Sequence, residues 1–239
     1  QVDVDDKFHI GSVTKSMTAT VAAMLVEQGK LDWTKTVGES FPELKGEIHP
    51  DYAEVTLEQL LSHRGGAPGN APRDLWSKAW RANGTAAEQR MEFVKGLLNR
   101  KPEAKPGTKF IYSNQGYTIA GVMLEKAAGK SWEQLMRGML FEPLGMNTAG
   151  FGAPAALGKV DQPWGHETGT LSAPKPVPPG PRADNPLAIS PAGVVHCSLA
   201  DLAKYAAFHM AGEHGESRLL KAQSFKKLHT VSDGNEDYA

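Results

Sequence analysis

The sequence has little cysteine, no long apolar run and almost no excess charge, and each shortage excludes a class of protein. Cys197 is the single cysteine among 239 residues, so an internal disulfide is excluded. No segment reaches the ~18 consecutive apolar residues of a membrane-spanning helix. The formal net charge of −1 offers no basic surface for nucleic acid. We therefore expect no membrane span and no nucleic-acid partner, and we predict that Cys197 is a buried core thiol.

Metal-ligand patterns are also missing. The sequence contains eight histidines, but His209 and His214 lie five residues apart without a matching acidic pattern, and His196 directly precedes Cys197. Neither spacing suits one metal ion. We predict no metal and no cofactor, and we expect structural roles for His63 and His166.

Strand-like alternation is scarce, whereas capped helices are frequent. Thr56, Thr85, Ser131 and Ser198 are each followed three residues later by Gln, Glu or Asp, which predicts four helix N-caps. The predicted helices cover residues 13–28, 57–63, 86–98, 116–128, 132–140 and 199–211. One buried stripe is predicted along the first of them, formed by Val13, Met17, Val21, Met24 and Leu25. Helices should therefore dominate the chain.

The segment Ser12-Val13-Thr14-Lys15 carries the first sign of chemistry. A serine and a lysine three residues apart lie on the same side of a helical turn. Ser12 should stand at or near the first turn, where free N–H groups and the helix dipole favour the negative charge of an alkoxide. Lys15, a cation at this end of the helix among apolar neighbours, should have a lowered pKa and accept a proton. Alone, the motif also fits an ordinary helix cap followed by a solvated lysine.

A second motif, Tyr112-Ser113-Asn114, follows one hundred residues later. The cation of Lys15 favours the anion of a nearby phenol, so Tyr112 can pass a proton between Ser12 and a leaving group. The amide of Asn114 both donates and accepts, and can orient Lys15 and bind a substrate carbonyl. Alone, the triplet is as consistent with a turn. Together with the first motif it favours catalysis.

The two motifs, in this order and at this spacing, resemble the serine β-lactamase and penicillin-binding protein superfamily. The Tyr-x-Asn form is similar to the branch of class C β-lactamases, D-alanyl-D-alanine carboxypeptidases and β-lactamase-like esterases. Further matching segments are residues 29–32, 55–63, 141–146 and 190–193. The resemblance implies an α+β, β-lactamase/transpeptidase-like fold. It also implies that Ser12, Lys15 and Tyr112 are catalytic and that Asn114 binds substrate.

The third motif of that family, a Lys-Thr-Gly or His-x-Gly triplet on a late strand, is missing from these 239 residues. Residues 63–65 (His-Arg-Gly) match it and residues 105–107 (Lys-Pro-Gly) are similar to it, but both come too early. The chain also begins only eleven residues before Ser12. We expect a single domain over residues 1–239, truncated at both ends, with mostly the helical domain and much of the antiparallel sheet missing. A second chain or self-association is expected to cover the helix faces that the sheet would contact.

Two segments have more than one interpretation. Nine of the sixteen prolines fall between Pro154 and Pro191. The Pro/Gly-rich residues 150–192 are therefore predicted to form an extended loop, either a surface excursion or a wall of the substrate cleft. Asn70 ends a Gly-rich stretch where class C relatives carry a substrate-binding glutamine. It is either a substrate-binding residue or a plain turn asparagine.

The resemblance implies a serine hydrolase that works through an acyl-enzyme on a small-molecule or peptide substrate: a β-lactam, a D-Ala-D-Ala peptide or an ester. The alternative is a non-catalytic penicillin-binding or sensing module, or an inactive fragment, because losing one oxyanion donor costs ~10²–10³ in rate. The family acts mostly outside the cytoplasm. A periplasmic or secreted location is therefore expected, although no signal peptide is visible.

Overall fold

Helices dominate the computed structural model, which describes residues 2–168, 173–180 and 182–230. Two helices of fifteen residues lie at its centre. Helix α1 (Val13–Glu27) carries the first sequence motif, and α7 (Asn114–Ala128) begins within the second. Ten residues of each helix are buried, so both are core elements.

The other helices surround this pair. Within the described ranges they are α2 (Val37–Ser40), α3 (Pro50–Ala53), α4 (Leu57–Leu61), α5 (Arg73–Ala79), α6 (Ala86–Leu98), α8 (Trp132–Met136), α9 (Ser190–Gly193), α10 (Leu199–Glu213) and α11 (Ala222–Leu228). Two 3₁₀ turns (Pro42–Leu44 and Leu187–Ile189) and a π-helical turn (Arg137–Phe141) connect them. Among the short helices, α2, α4, α8, α9 and α11 contact α1 or α7, and two of them, α4 and α9, approach the site described below.

The predicted N-caps are confirmed. The side chains of Thr56, Thr85, Ser131 and Ser198 each accept a hydrogen bond from the backbone N–H three residues later. They fix the starts of α4, α6, α8 and α10 at the predicted places. Helix α7 begins two residues earlier than predicted because Ser113 caps it. The helix predicted over residues 132–140 becomes π-helical at its end.

The apolar stripe along α1 is confirmed at four of its five positions. Met17, Val21, Met24 and Leu25 are at most 3% exposed. The prediction for Val13 is wrong, since its side chain is 43% exposed beside an open cleft. Val13, in the first turn of α1, is therefore accessible from solvent, and the buried stripe begins one turn later.

A small antiparallel sheet leads the chain into α1. Strands β1 (Lys7–His9), β2 (Gly150–Phe151) and β5 (Val195–Ser198) lie in the order β1-β5-β2. Within residues 150–192, β3 (His166–Glu167) pairs with β4 (Lys175–Pro176). Residues 169–172 and 181 of that segment lie outside the described residues. These strands are too short to give a sustained alternation in the sequence.

Helix α8 is fixed against α1 through Trp132, which is fully buried. Its indole N–H donates to Thr18 Oγ1 at 3.1 Å, and the Thr18 hydroxyl donates to the Pro191 carbonyl at 2.9 Å. This chain of hydrogen bonds connects α8, α1 and α9. The position of α9 relative to α1 is therefore determined by specific polar contacts as well as by packing.

Cys197 is the buried thiol that its sequence context predicts. Burial raises the pKa of Cys197 to about 11, so the thiol stays protonated near neutral pH and is a poor nucleophile. No helix in the described part of the chain is long and apolar enough to cross a bilayer.

Gly121 on α7 allows that helix to approach α9 closely. A Cβ atom at this position would lie 2.3 Å from Cγ of Pro191, whose ring is rigid. We expect Gly121→Ala to lower the free energy of unfolding by about 1–3 kcal/mol, because overpacking a filled core forces the helices apart. Urea unfolding measures this, with Gly138→Ala as the control because a Cβ there meets nothing within 4 Å. Equal stability of the two variants would contradict the close packing of α7 on α9.

Candidate active site

The turn before α1 places Ser12 at the edge of an open cleft. The Ile10 N–H donates to the Val195 carbonyl at 2.9 Å, where β1 leaves its partner β5. Gly11 then adopts a left-handed conformation (φ 53°), which glycine tolerates without strain. Ser12 follows as the N-cap residue of α1 and is exposed. Its hydroxyl therefore lies at a helix N-terminus, where backbone N–H groups favour negative charge.

The Lys15 amine lies against Ser12 and is otherwise enclosed. Lys15 is 1% exposed, and its Nζ is 3.0 Å from Ser12 Oγ, 2.7 Å from Asn114 Oδ1 and 2.7 Å from the Ala192 carbonyl. Burial lowers the pKa of Lys15 from its usual range, while a hydrogen bond and the charge of Tyr112 act in the opposite direction. A neutral amine keeps two N–H bonds, to Asn114 and Ala192, and offers its lone pair to the Ser12 hydroxyl.

Tyr112 brings its ring over this amine. The Lys15 Nζ lies 4.8 Å from the ring centroid, within the range of a cation–π contact. Tyr112 is also 42% exposed, so the phenol contacts Lys15 and faces solvent at the same time. A group that carries protons between a buried amine and a leaving group needs such a position. That role of Tyr112 stays a prediction.

Asn114 reaches Lys15 because α7 begins at this residue. The Ser113 hydroxyl caps the helix: it accepts from the Gly116 N–H at 3.1 Å and donates to the Pro68 carbonyl at 2.7 Å. The predicted contact that orients Lys15 is present, between residues 99 positions apart in the sequence. Binding of a substrate carbonyl by Asn114 stays a prediction.

His63, for which the sequence analysis expected a structural role, lies directly behind Tyr112. The two rings are 4.5 Å apart, and His63 Nδ1 accepts from the Ser113 N–H at 3.0 Å. His63 is buried and has a left-handed backbone (φ 60°), which is uncommon for a residue with a side chain. Burial, and then the charge of Lys15, lowers the pKa of His63 to about 3. The imidazole is therefore neutral near neutral pH and supports the segment that carries Tyr112 and Asn114.

The third acceptor for Lys15, the Ala192 carbonyl, was also absent from the predicted site. It belongs to α9, the short helix that begins with Ser190-Pro191. Residues 190–193 were noted in the sequence only as a matching segment. A backbone carbonyl has no residue type of its own, so the sequence carries no chemical signal for it.

Asn70 lies on an exposed turn beside the site. Gln115 Nε2 donates to the Pro68 carbonyl at 3.0 Å, and a Cβ on Gly69 would lie 3.5 Å from the Tyr112 carbonyl. This loop is thus packed next to the second motif. Asn70 itself is exposed. Among the described residues its side chain makes no hydrogen bond with Ser12, Lys15 or Asn114. A substrate-binding role for Asn70 stays a prediction.

The two early matches to the third motif lie away from any strand. Residues 63–65 follow α4, and residues 105–107 form a turn in which the Thr108 N–H donates to the Lys105 carbonyl at 3.2 Å. Gly107 N–H donates to the Arg64 carbonyl at 2.8 Å, so the two segments contact each other. Neither can supply a strand that lines the site.

Open space adjoins Ser12 on two sides. A cavity of about 640 Å³ is bordered by Ser12, Lys15, Tyr205 and His209. A smaller one of about 60 Å³ is bordered by Ser12, Asn114 and Asn185. The larger cavity has the size of a small-molecule site. Within residues 2–168, 173–180 and 182–230, no group of three or more His, Cys, Asp or Glu side chains could hold a metal ion.

Comparisons with known proteins agree on one family. The family model described as Beta-lactamase matches residues 1–239. Penicillin-binding protein 4 of Amycolatopsis lactamdurans is 30% identical over 210 residues, which cover 87% of this chain and 52% of that protein. A protein named Beta-lactamase from Providencia stuartii is 29% identical over 61% of this chain and 35% of its own length.

A solved structure agrees with the sequence matches. The octameric penicillin-binding protein homologue from Pyrococcus abyssi superimposes with a TM-score of 0.74 at 27% identity. The superposition covers 95% of this chain and 49% of that one. The chain thus spans about half the length of this structure and of the Amycolatopsis relative, and a smaller share of the Providencia one.

Proposed function

The chain belongs to the beta-lactamase family of serine hydrolases, and from that premise we propose that it forms an acyl-enzyme on Ser12. The resemblance read from the two motifs is confirmed, and so is the β-lactamase/transpeptidase-like α+β fold, here rich in helix with a small sheet. Which reaction this chain performs is a proposal, because its relatives include proteins named as penicillin-binding proteins and as β-lactamases.

The contact between Lys15 and Ser12 carries the proposal. The amine is 3.0 Å from the hydroxyl, and burial lowers the pKa of Lys15 toward the range in which it can act as a base. Ser12 Oγ attacks a carbonyl carbon while its proton passes to Lys15 Nζ. Tyr112 then donates its phenol proton to the leaving amine or alcohol as the carbonyl bond to it breaks, and takes in exchange the proton held by Lys15. Water, or an amine, attacks the acyl-enzyme and releases Ser12 with its proton restored.

Stabilisation of the oxyanion is assigned to backbone groups. The N–H of Ser12 at the start of α1 is the first proposed donor, supported by the direction of the helix dipole. The family's second donor comes from the strand of the third motif, and residues 1–239 contain no such triplet late in the chain. The alternative candidate is a non-catalytic penicillin-binding or sensing module, or an inactive fragment.

Substrate class is proposed from the motifs and the relatives' names. A class C-like site with Tyr112 and Asn114 suits β-lactams, D-Ala-D-Ala peptides and short esters, all of which present a carbonyl to an activated serine. Similarity to a penicillin-binding protein supports a β-lactam as the first compound to test. A periplasmic or secreted location is proposed with it. Self-association, or a second chain beside α1, is also proposed, supported by the octameric state of the Pyrococcus homologue.

A substrate panel tests the proposal. A chromogenic β-lactam, a D-Ala-D-Ala peptide and p-nitrophenyl butyrate are incubated separately with the protein and with Ser12→Ala. We expect consumption of at least one of them to fall to the uncatalysed rate in Ser12→Ala. Equal consumption by both proteins would contradict a serine hydrolase. Binding of the β-lactam without turnover would favour the module.

A further inference from the structure

His9 and Asp184 form a polar pair just before Ser12. His9 Nε2 lies 2.9 Å from Asp184 Oδ1, although the two residues are far apart in the sequence. The other ring nitrogen, Nδ1, accepts a hydrogen bond from the Gly11 N–H at 3.2 Å. One imidazole therefore connects a carboxylate to the glycine that precedes the nucleophile.

The carboxylate of Asp184 is largely buried, and a second hydrogen bond fixes its orientation toward His9. Its side chain is 9% exposed, and Oδ1 also accepts from the Asn185 N–H at 2.6 Å. Oδ2 is buried and makes no hydrogen bond with any residue that the structure describes. A carboxylate with so little solvation favours a nearby cation. The Asp184 carboxylate is therefore positioned to accept the His9 Nε2–H.

Hydrogen bonds connect this pair to α9, which lies on the other side of the site. Asn185 Nδ2 donates to the Gly193 carbonyl at 3.0 Å, and Gly193 follows Ala192, whose carbonyl accepts from Lys15. Gly193 also approaches the backbone of Gly11, since a Cβ on it would lie 3.7 Å from the Gly11 carbonyl. The backbone segments that hold Ser12 and Lys15 are thus tied together through His9, Asp184 and Asn185.

Only one form of His9 fits both contacts. Accepting from the Gly11 N–H requires a bare Nδ1, and donating to Asp184 requires a proton on Nε2. In the imidazolium both nitrogens carry protons, so the Gly11 N–H would face another N–H. Protonation of His9 thus keeps the bond to Asp184 and breaks the bond to Gly11.

We propose that His9 and Asp184 are a proton-controlled positioning pair that sets the turn presenting Ser12. Neutral His9 holds Gly11 and keeps Ser12 Oγ against Lys15, whereas protonated His9 releases the turn. The pair touches neither substrate nor reacting atoms. The inference about acylation rests on the proposed function, but the arrangement of the turn does not.

Other charged groups around His9 are few among the described residues. Lys7 lies two residues earlier on β1, and His196 is opposite His9 on β5. Burial lowers the pKa of His196, and its Nδ1 is bonded to the Gly152 carbonyl at 2.8 Å, which acts in the opposite direction. Asp184 is the carboxylate that lies within ion-pair distance of His9 in this part of the chain.

The first experiment uses NMR and needs no catalysis. Nitrogen-15 shifts of the His9 ring give its tautomer, and the Gly11 amide is followed from pH 8 to pH 5, where imidazoles change charge. We expect the Nε2–H tautomer at pH 8 and a Gly11 amide shift that titrates together with His9. An Nδ1–H tautomer, or a Gly11 amide that is indifferent to His9, would overturn the proposal whether or not the protein is an enzyme.

The second experiment measures the rate of acylation by a fluorescent penicillin over the same pH range. His9→Asn keeps an acceptor two residues before Gly11, as in an Asx-turn, and does not titrate. His9→Gln keeps a donor for Asp184 but suits the turn less well. Between pH 8 and pH 5, we expect the acylation rate of the wild type to fall by a factor about ten times larger than that of His9→Asn. At pH 8, we expect His9→Gln to be acylated about tenfold more slowly than the wild type.

Two further variants make the test specific. Asp184→Asn removes the negative charge beside His9 but keeps an oxygen that can accept from Nε2–H, so the pH dependence of acylation should differ from that of the wild type. At the start of α3, His49 Nδ1 accepts a hydrogen bond from the Asp51 N–H at 3.2 Å, just as His9 Nδ1 accepts from the Gly11 N–H. His49→Asn is therefore the matched control, and its pH profile of acylation should match that of the wild type. Superimposable pH profiles of wild type, His9→Asn and His9→Gln would overturn the positioning role. An unacylated wild type whose Gly11 and His9 titrate together would instead contradict the proposed function alone.

Discussion

Replacing Lys15 by methionine is expected to slow acylation of Ser12 by about 10²–10⁴-fold, the usual contribution of a positioned base. Methionine fills a similar volume but cannot accept the Ser12 proton. It also leaves Asn114 Oδ1 and the Ala192 carbonyl without their donor. The acylation rate with a fluorescent penicillin measures the loss. Lys30→Met, at an exposed position after the same helix, is the control and should acylate at the wild-type rate.

The pH dependence of the acylation rate distinguishes a Lys15 that acts as a base from a Lys15 that acts only as a fixed positive charge. Because burial lowers the pKa of Lys15, the rate should rise with pH as the amine loses its proton, and the rise should come below the range where an exposed lysine titrates. Lys15→Arg keeps the charge at every accessible pH and cannot be deprotonated. It should be as slow as Lys15→Met and show no such rise. Wild-type rates in Lys15→Arg would contradict the base role.

Replacing Arg90 by alanine is expected to lower the free energy of unfolding by about 3–5 kcal/mol, because it leaves two carboxylates without their buried partner. Arg90 is fully buried on α6, and its Nη2 lies 2.8 Å from Glu125 Oε1 and 3.0 Å from Glu133 Oε2. Nη1 donates to the Leu187 carbonyl at 3.2 Å. One guanidinium therefore joins α6, α7 and α8 to the turn that leads into α9.

Urea unfolding compares the effect of removing Arg90 with the effect of removing an exposed ion pair. Lys78 and Glu92 are 2.6 Å apart, but their side chains are 63% and 56% exposed, so Lys78→Ala should cost at most about 1 kcal/mol. Arg90→Lys keeps the positive charge but loses the planar guanidinium, so its loss of unfolding free energy should lie between those of Arg90→Ala and Lys78→Ala. Similar losses in Arg90→Ala and Lys78→Ala would contradict the role of the buried network.

Local sequence signals predicted the helices well because their causes are local. Thr85 with Glu88, for example, specifies the start of α6 through bonds that span three residues. The start of α7 was placed two residues late because Ser113 lacks the Glu or Gln partner of a capping box. Val13 was misplaced because periodicity cannot tell a buried first turn from one that borders a cleft.

Long-range contacts account for what the sequence did not predict. The two motifs indicated Ser12, Lys15, Tyr112 and Asn114 through their residue types. Three features of the site have no such signal: the Ala192 carbonyl, the ring of His63 behind Tyr112, and the pairing of His9 with Asp184. Each depends on segments that are far apart in the sequence: α9 lies against α1, a residue just after α4 lies against the segment before α7, and residue 184 lies against β1.

The most direct test of the account is the intact mass of the protein after incubation with a penicillin, alongside Ser12→Ala. Cleavage by trypsin after Lys7 and Lys15 isolates residues 8–15, the peptide that contains Ser12. We predict that the wild type either carries the penicillin mass on that peptide or consumes the compound, and that Ser12→Ala does neither. An adduct or consumption that persists in Ser12→Ala would contradict an acylatable Ser12, whereas a folded wild type that shows neither would contradict a β-lactam substrate and favour an esterase or an inactive fragment.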